Sequence, residues 1–214
     1  MLRTAEENLA WCYRRIKGAF QRKEFLSQHW ELIVAADFFT VEVWTRRGLP
    51  RFMVLFFLEL STRKVEIAGI AAEANSLWMG QIGRNLTDAV DGILQGKSYL
   101  IRDRDPLFTG EFLSMLGDVG VKSVKLPPRS PNAYAERFVR SIKQSSLERM
   151  ILFGDDALRK AVHEFVAHYH QERNHQGLAN RLISPEASHL AKAGVVHRRQ
   201  RLGGMLNYYY RAAA

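Results

Sequence analysis

The chain has 214 residues, with 31 Lys+Arg against 22 Asp+Glu for a net charge of +9, and 47% of it is hydrophobic. That apolar content excludes a disordered chain, and the length suffices for one domain with its own core plus a small appendage. No apolar stretch approaches a bilayer-spanning length, no charged-then-apolar leader opens the chain, and the single Cys12 excludes an internal disulfide. The expectation is a cytoplasmic protein with no membrane contact.

Charge is unevenly placed. Residues 1–29 carry six basic and three acidic groups, residues 30–125 carry eleven and twelve, and residues 126–214 carry fourteen and seven. A near-neutral, strongly apolar middle is thus flanked by basic ends, which suits a packed core that meets an anionic partner at its flanks.

In chain order, Leu9, Tyr13, Ile16 and Phe20 have helical spacing. Glu31–Phe39 and Arg51–Leu60 are nearly unbroken apolar runs separated by Gly48-Leu49-Pro50. They predict two buried strands, and Lys64–Ile70, after a Ser61-Thr62 turn, predicts a third with one exposed face. A helix is expected over Asn75–Leu94, a strand over Ser98–Arg102, a helix over Phe108–Leu116 and a strand over Val121–Leu126. The proline-rich segment Pro127–Asn132 then leads into a long helix from Ala133 to Phe153. Asp155 or Asp156 should cap a further helix carrying Leu158, Val162, Phe165, Val166 and Tyr169. Gly203-Gly204, between Arg198–Leu202 and Met205–Tyr210, signals a terminal hairpin. Three hairpin-linked strands followed by alternating elements imply an α/β fold, a mixed sheet flanked by helices.

Three carboxylates stand where this pattern does not call for them. Asp37 interrupts the apolar run Leu32–Phe39, where a bare charge costs several kcal/mol unless it is paired or bound to a cation. Asp103 sits at the tip of the strand Tyr99–Arg102. Glu136 falls in the first turn of the long helix, sharing a face with Arg140 and Lys143 while Ala135, Phe138, Val139 and Ile142 point to the core. Plainer readings exist: a salt bridge for Asp37, dipole stabilisation for Glu136, and a solvated i,i+4 stripe for Glu136, Arg140 and Lys143. If the strands bearing Asp37 and Asp103 are neighbours, however, the acids converge. Such a cluster needs hard cations, and Mg²⁺ or Mn²⁺ suits an all-oxygen site. Two such ions could serve in-line attack on phosphorus.

Taken together, Ala36-Asp37-Phe38-Phe39, Leu100-Ile101-Arg102-Asp103-Arg104 with Phe108, and Ser130-Pro131 with Asn132-Ala133-Tyr134-Ala135-Glu136 resemble the catalytic core of DDE transposases and integrases. Tyr169-His170-Gln171-Glu172-Arg173-Asn174-His175 resembles the Tyr–Arg–His segment of bacterial insertion-sequence elements. The resemblance spans residues 30–185 and implies a ribonuclease H-like mixed five-stranded sheet. It makes Asp37, Asp103 and Glu136 the metal-binding catalytic acids, with two Mg²⁺ or Mn²⁺ ions, and it matches Lys143 to a DNA-contacting position. Arg173 and His175 would close the core or lie beside DNA. Residues 1–29 resemble an abridged, basic remnant of a helix-turn-helix region, and residues 186–214 form a basic extension. Two departures stand out. Pro131 abuts Asn132, where the family leaves two more residues, and Asp105, an alternative ligand, replaces a usual glycine.

His163, His168, His170 and His175 lack the acid or cysteine partners of a zinc site. Arg198, Arg199 and Arg201, with Tyr208, Tyr209 and Tyr210, could hold phosphates and stack on bases, or else pack as a small appendage. The activity implied is Mg²⁺-dependent 3′-end processing and strand transfer of transposon DNA by a nucleoid-associated homo-oligomer. The alternatives are a ribonuclease H-like nuclease and a non-catalytic DNA-binding remnant of a shortened transposase.

Overall fold

The two unbroken apolar runs are explained by the middle of a sheet covered on both faces. A computed structural model describes residues 29–88, 92–126, 132–186 and 194–211. Strands β1 (Ile33–Glu42), β2 (Arg51–Glu59) and β3 (Val65–Ala71) form an antiparallel meander, and β4 (Tyr99–Arg102) and β5 (Lys122–Lys125) add in parallel. The order β3-β2-β1-β4-β5 sets β1 beside both β2 and β4. This is the expected mixed five-stranded sheet. The β2–β3 turn is tight: Thr62 Oγ1 donates to Glu59 Oε2 at 2.8 Å, and Arg63 takes a left-handed conformation with φ 66°.

Alternation along β1 divides the core. Val34 and Ala36 face a cluster with Met79, Ile82 and Leu86 of α1 (Ser76–Leu86) and Phe112 and Leu116 of α2 (Gly110–Asp118). Ile33, Ala35 and Phe39 face the opposite cluster. There Ala135, Phe138 and Ile142 of α3 (Ala133–Ser145) pack with Leu158, Val162 and Phe165 of α4 (Asp155–Gln171). The Phe56 and Phe138 rings, 4.8 Å apart, lock α3 onto β2.

Helix ends depart from expectation where local hydrogen bonds compete. α1 stops at Leu86 rather than Leu94: Thr87 keeps the last helical bond to Gly83 O but leaves helical geometry, its Oγ1 sharing the same carbonyl at 2.9 Å. α3 stops at Ser145 rather than Phe153. Ser146 leaves helical geometry and bonds Ile142 O through its Oγ at 2.7 Å, and a short 3-10 turn, Leu147–Arg149, follows. The cap of α4 is Gly154, not an aspartate; Asp155 instead pairs with Arg159 one turn on, at 3.0 Å. β1 begins two residues later than expected and runs on to Glu42.

The terminal hairpin, β6 (Val196–Arg201) and β7 (Leu206–Arg211), turns through Leu202, Gly203 and Gly204, all with positive φ. It is fastened to α4 by charge. Arg201 donates to both carboxylate oxygens of Glu172 at 2.8–3.1 Å and to Glu164 at 2.8 Å. His168 Nδ1 approaches the same Glu172 carboxylate at 2.9 Å. The helix expected over residues 5–20 and the loop 127–131, with its shortened spacing before Asn132, lie outside the described residues. Among the described residues no helix is long and apolar enough to cross a membrane.

Candidate active site

Strand register decides what lies near Asp37. β1 and β4 run parallel with Ala35 beside Ile101. Two residues along a strand keeps the same face, so Asp37 projects on the side where Ala35 meets the α3–α4 cluster. Asp103 lies in the loop just past the end of β4, near enough for its charge to bear on Asp37. Across β2, Asp37 pairs with Phe56, the residue on which α3 is seated. α3 then brings Glu136, one helical turn from its start, to the same region.

Asp37, Glu136, Arg140 and Lys143 line one open cleft of about 380 Å³, with Val139, Gln144 and Glu148. Asp37 is half-buried, and among the described residues its hydrogen-bond partner is the Phe38 N–H, which donates to Oδ1 at 2.8 Å. Burial pushes its carboxyl up to about 6. The Phe38 hydrogen bond opposes this, while the negative charges of Asp103, Glu136 and Asp105 add to it. Asp103 acts on Asp37 more strongly than Asp105 does. The two belong to one loop after β4: Asp105 N–H donates to Asp103 Oδ1 at 3.0 Å, and Leu107 N–H to Asp105 Oδ1 at 2.8 Å. Next to it, the buried Arg102 turns to the other side, donating to Ser123 Oγ at 2.7 Å and lying over the Phe108 ring.

The donor set is carboxylate oxygen throughout, partly open to water, which suits a small hard divalent cation. The raised Asp37 points the same way, since a nearby cation would remove the repulsion. Of the three predicted acids, Asp37 and Glu136 line the cleft and Asp103 does not, and among the described residues no three His, Cys, Asp or Glu side chains stand in a ready ligand set.

The remaining sequence-derived candidates lie elsewhere. Arg173 and His175 follow α4 and border a second cavity, on the other flank of α3. Arg173 donates to Ser141 Oγ, and His175 Nε2 is held on the Tyr169 carbonyl at 2.7 Å. Burial, together with the Arg173 and Arg63 charges, draws the His175 imidazole below its ordinary range against the pull of that hydrogen bond. Arg198 is exposed on β6, bonded to Asn207. Arg199 and Arg201 are turned onto acids of their own chain, Arg199 to Glu186 and Glu172, Arg201 to Glu172 and Glu164. Gln144 and Glu148 were not anticipated in the cleft. Gln144 continues the stripe of Glu136 and Arg140 at i+8, a signal open to reading; Glu148 reaches the cleft only because α3 breaks at Ser146.

Comparisons with known proteins bear on the fold. Residues 120–182 match the family model described as integrase core domain, a stretch that contains Glu136, Lys143, Arg173 and His175. The HTLV-2 integrase catalytic core domain, solved in complex with magnesium, superposes with TM-score 0.51 at 11% identity, covering 72% of this chain and 93% of that one. The chain folds as an integrase catalytic core. A chain of the simian T-cell lymphotropic virus intasome, solved with the PP2A regulatory subunit B56 gamma, gives TM-score 0.52 at 14% identity over 85% of this chain and 67% of that one. No curated protein matches the sequence. In this integrase-type core, Asp37 and Asp103 lie outside the family-model match and belong to the part supported by the fold.

Proposed function

We propose that the chain is a DNA strand-transfer enzyme of the DDE type, in which Asp37, Asp103 and Glu136 hold divalent metal, Mg²⁺ or Mn²⁺. The observation that carries this reading is the opening of Asp37 and Glu136 onto one cleft beside Arg140 and Lys143, with the β1–β4 register setting Asp103 next to Asp37. The magnesium found with the HTLV-2 core supports the choice of ion. Asp103 is preferred to Asp105 as second acid because its charge bears more strongly on Asp37.

When bound, the metal would supply Lewis-acid polarisation of the phosphodiester under attack. The chain's own residues do the rest. Arg140 and Lys143, on the cleft wall, bind strand phosphates and fix the scissile group over the acids. Asp37, with its pKa raised to about 6, keeps a minor protonated fraction near neutrality, which a bound cation would displace. Phe38 and Val139 restrict water on the apolar side of the cleft. DNA ends and target are the substrates, and assembly into a homo-oligomer on DNA follows from the need to handle two ends together. Residues 30–185 form the catalytic unit, and residues 186–214 a basic extension whose β6–β7 hairpin is docked on α4.

The test is incubation of the protein with short DNA ends and Mn²⁺, with Asp37→Asn in parallel. Joined products, reduced by roughly a thousandfold or more in the variant, are expected. Cleavage without joining would make the protein a hydrolytic nuclease. DNA binding with neither product would make it a non-catalytic DNA-binding protein.

A further inference from the structure

The second flank of α3 carries a site of opposite charge. A cavity of about 350 Å³ lies between the β2–β3 turn, α3 and the segment after α4, and Arg63, Tyr134, Arg137, Ser141, Tyr169 and Arg173 shape it. Among the described residues no acidic one lines it. The Arg63 guanidinium lies 3.8 Å from the centre of the Tyr134 ring and 5.3 Å from that of Trp30, so stacking fixes it before any ligand arrives. Its Nη1 is buried and has no hydrogen-bond partner among the described residues. Arg173 is held over the Tyr169 ring, 5.8 Å from its centre, by its bond to Ser141. Burial pushes the Tyr169 hydroxyl up in pKa, while Arg173, Arg63 and Arg137 all pull it down, so three guanidinium charges converge on one phenol.

Three cations without a carboxylate among them repel one another, and a buried N–H without an acceptor carries a further cost. One group answers both. A phosphate brings negative charge and several acceptor oxygens, and its geometry suits the planar fork of arginine. We propose that this cavity is a phosphate-binding site, in which Arg63, Arg137 and Arg173 hold one phosphate group and the Tyr169 hydroxyl donates to it. It is separate from the acid cleft and does not depend on strand transfer. The phosphate can come from a DNA strand or from a free phosphate compound, since the recognition chemistry is shared.

Calorimetric titration with inorganic phosphate, at constant ionic strength and with EDTA present to keep metal from the acids, tests the site. Saturable one-to-one binding is expected, weakened about tenfold or more by Arg63→Gln and by Arg137→Gln. Arg137 is exposed on α3, so its substitution leaves the core packing in place, and a thermal melt verifies this. Absence of saturable binding, or binding indifferent to both substitutions, would overturn the proposal. A DNA duplex in the same buffer distinguishes the sources. If a strand phosphate is the occupant, inorganic phosphate competes with the duplex, and each substitution lowers the salt slope of DNA binding by about 1. If a free phosphate compound is the occupant, duplex affinity is the same with and without phosphate.

Discussion

Two buried acids in this chain, Asp37 and Glu172, are treated in opposite ways. Both are taken from water, which by itself raises a carboxyl pKa. Around Glu172, only 6% exposed, burial is outweighed by Arg201 and His168, and its carboxyl falls below the ordinary glutamate range. Around Asp37 the neighbouring side-chain charges that bear on it are three further acids, and its carboxyl rises to about 6. Glu172 is thus completed by the chain, and its role is to fasten the terminal hairpin to α4. Asp37 is completed only by something cationic from outside. A charged residue in a core is informative through its partners rather than through its burial.

The sharpest way to break this contrast is to remove the cation that completes Glu172. Arg201→Met leaves a fully buried carboxylate with its main partner gone, and should cost about 3 kcal/mol, read as a lower urea midpoint with earlier proteolysis after Gly194. An unchanged midpoint would mean that the hairpin contributes nothing to the fold.

Asp37→Asn should have the opposite sign. Removing a charge that burial disfavours and neighbouring acids repel should raise the stability of the metal-free protein by roughly 1–2 kcal/mol, after allowance for partial exposure. The gain should vanish in Mn²⁺, which would stabilise only the wild type. Destabilisation of the metal-free variant would contradict the account.

A smaller effect appears in pH dependence. Asp37 binds more protons folded than unfolded between its ordinary 3.8 and about 6, so it weakens the fold as pH rises through that window. His170, whose Nε2 accepts from the Val65 N–H at 3.0 Å, is lowered by burial, and further by Lys64 and His175, to about 4. It binds fewer protons folded than unfolded, so stability is lost as pH falls from 6.5 towards 4. The two contributions oppose each other between about 4 and 6. The wild-type melting temperature should therefore fall less on acidification through that window than that of Asp37→Asn, in which the lowered His170 and His175 are no longer opposed by Asp37. Identical profiles would remove Asp37 from the argument. The Glu172 contribution, present above the ordinary glutamate range, is lost at lower pH still.

How far the site was legible in the sequence follows from the range of each cause. Asp37 and Asp103 stood out because a carboxylate contradicts the apolar pattern around it, and strand order then set them side by side. Glu136, Arg140 and Lys143 were legible as a helical face. The sheet was legible for the same reason, since its strands declare themselves by unbroken or alternating apolar runs. The ends of α1 and α3 were not, because Thr87 and Ser146 compete for backbone carbonyls in a way that periodicity does not register. Arg199 and Arg201 looked like free cations for phosphate. Their acids lie elsewhere along the chain, and only folding brings Glu172, Glu164 and Glu186 to them. Arg63 gives no signal, being one basic residue in an ordinary turn, and nothing local in the sequence sets Arg137 beside Arg63 and Arg173.

The most direct test of the central claim uses Mn²⁺ as a paramagnetic probe of both buried acids together. In spectra of the side-chain carboxyl carbons, the account predicts that low Mn²⁺ broadens Asp37, Asp103 and Glu136 first, while Glu172, already satisfied by Arg201, stays sharp. Broadening that spares Asp37, or that reaches Glu172 as early as the other acids, would contradict it.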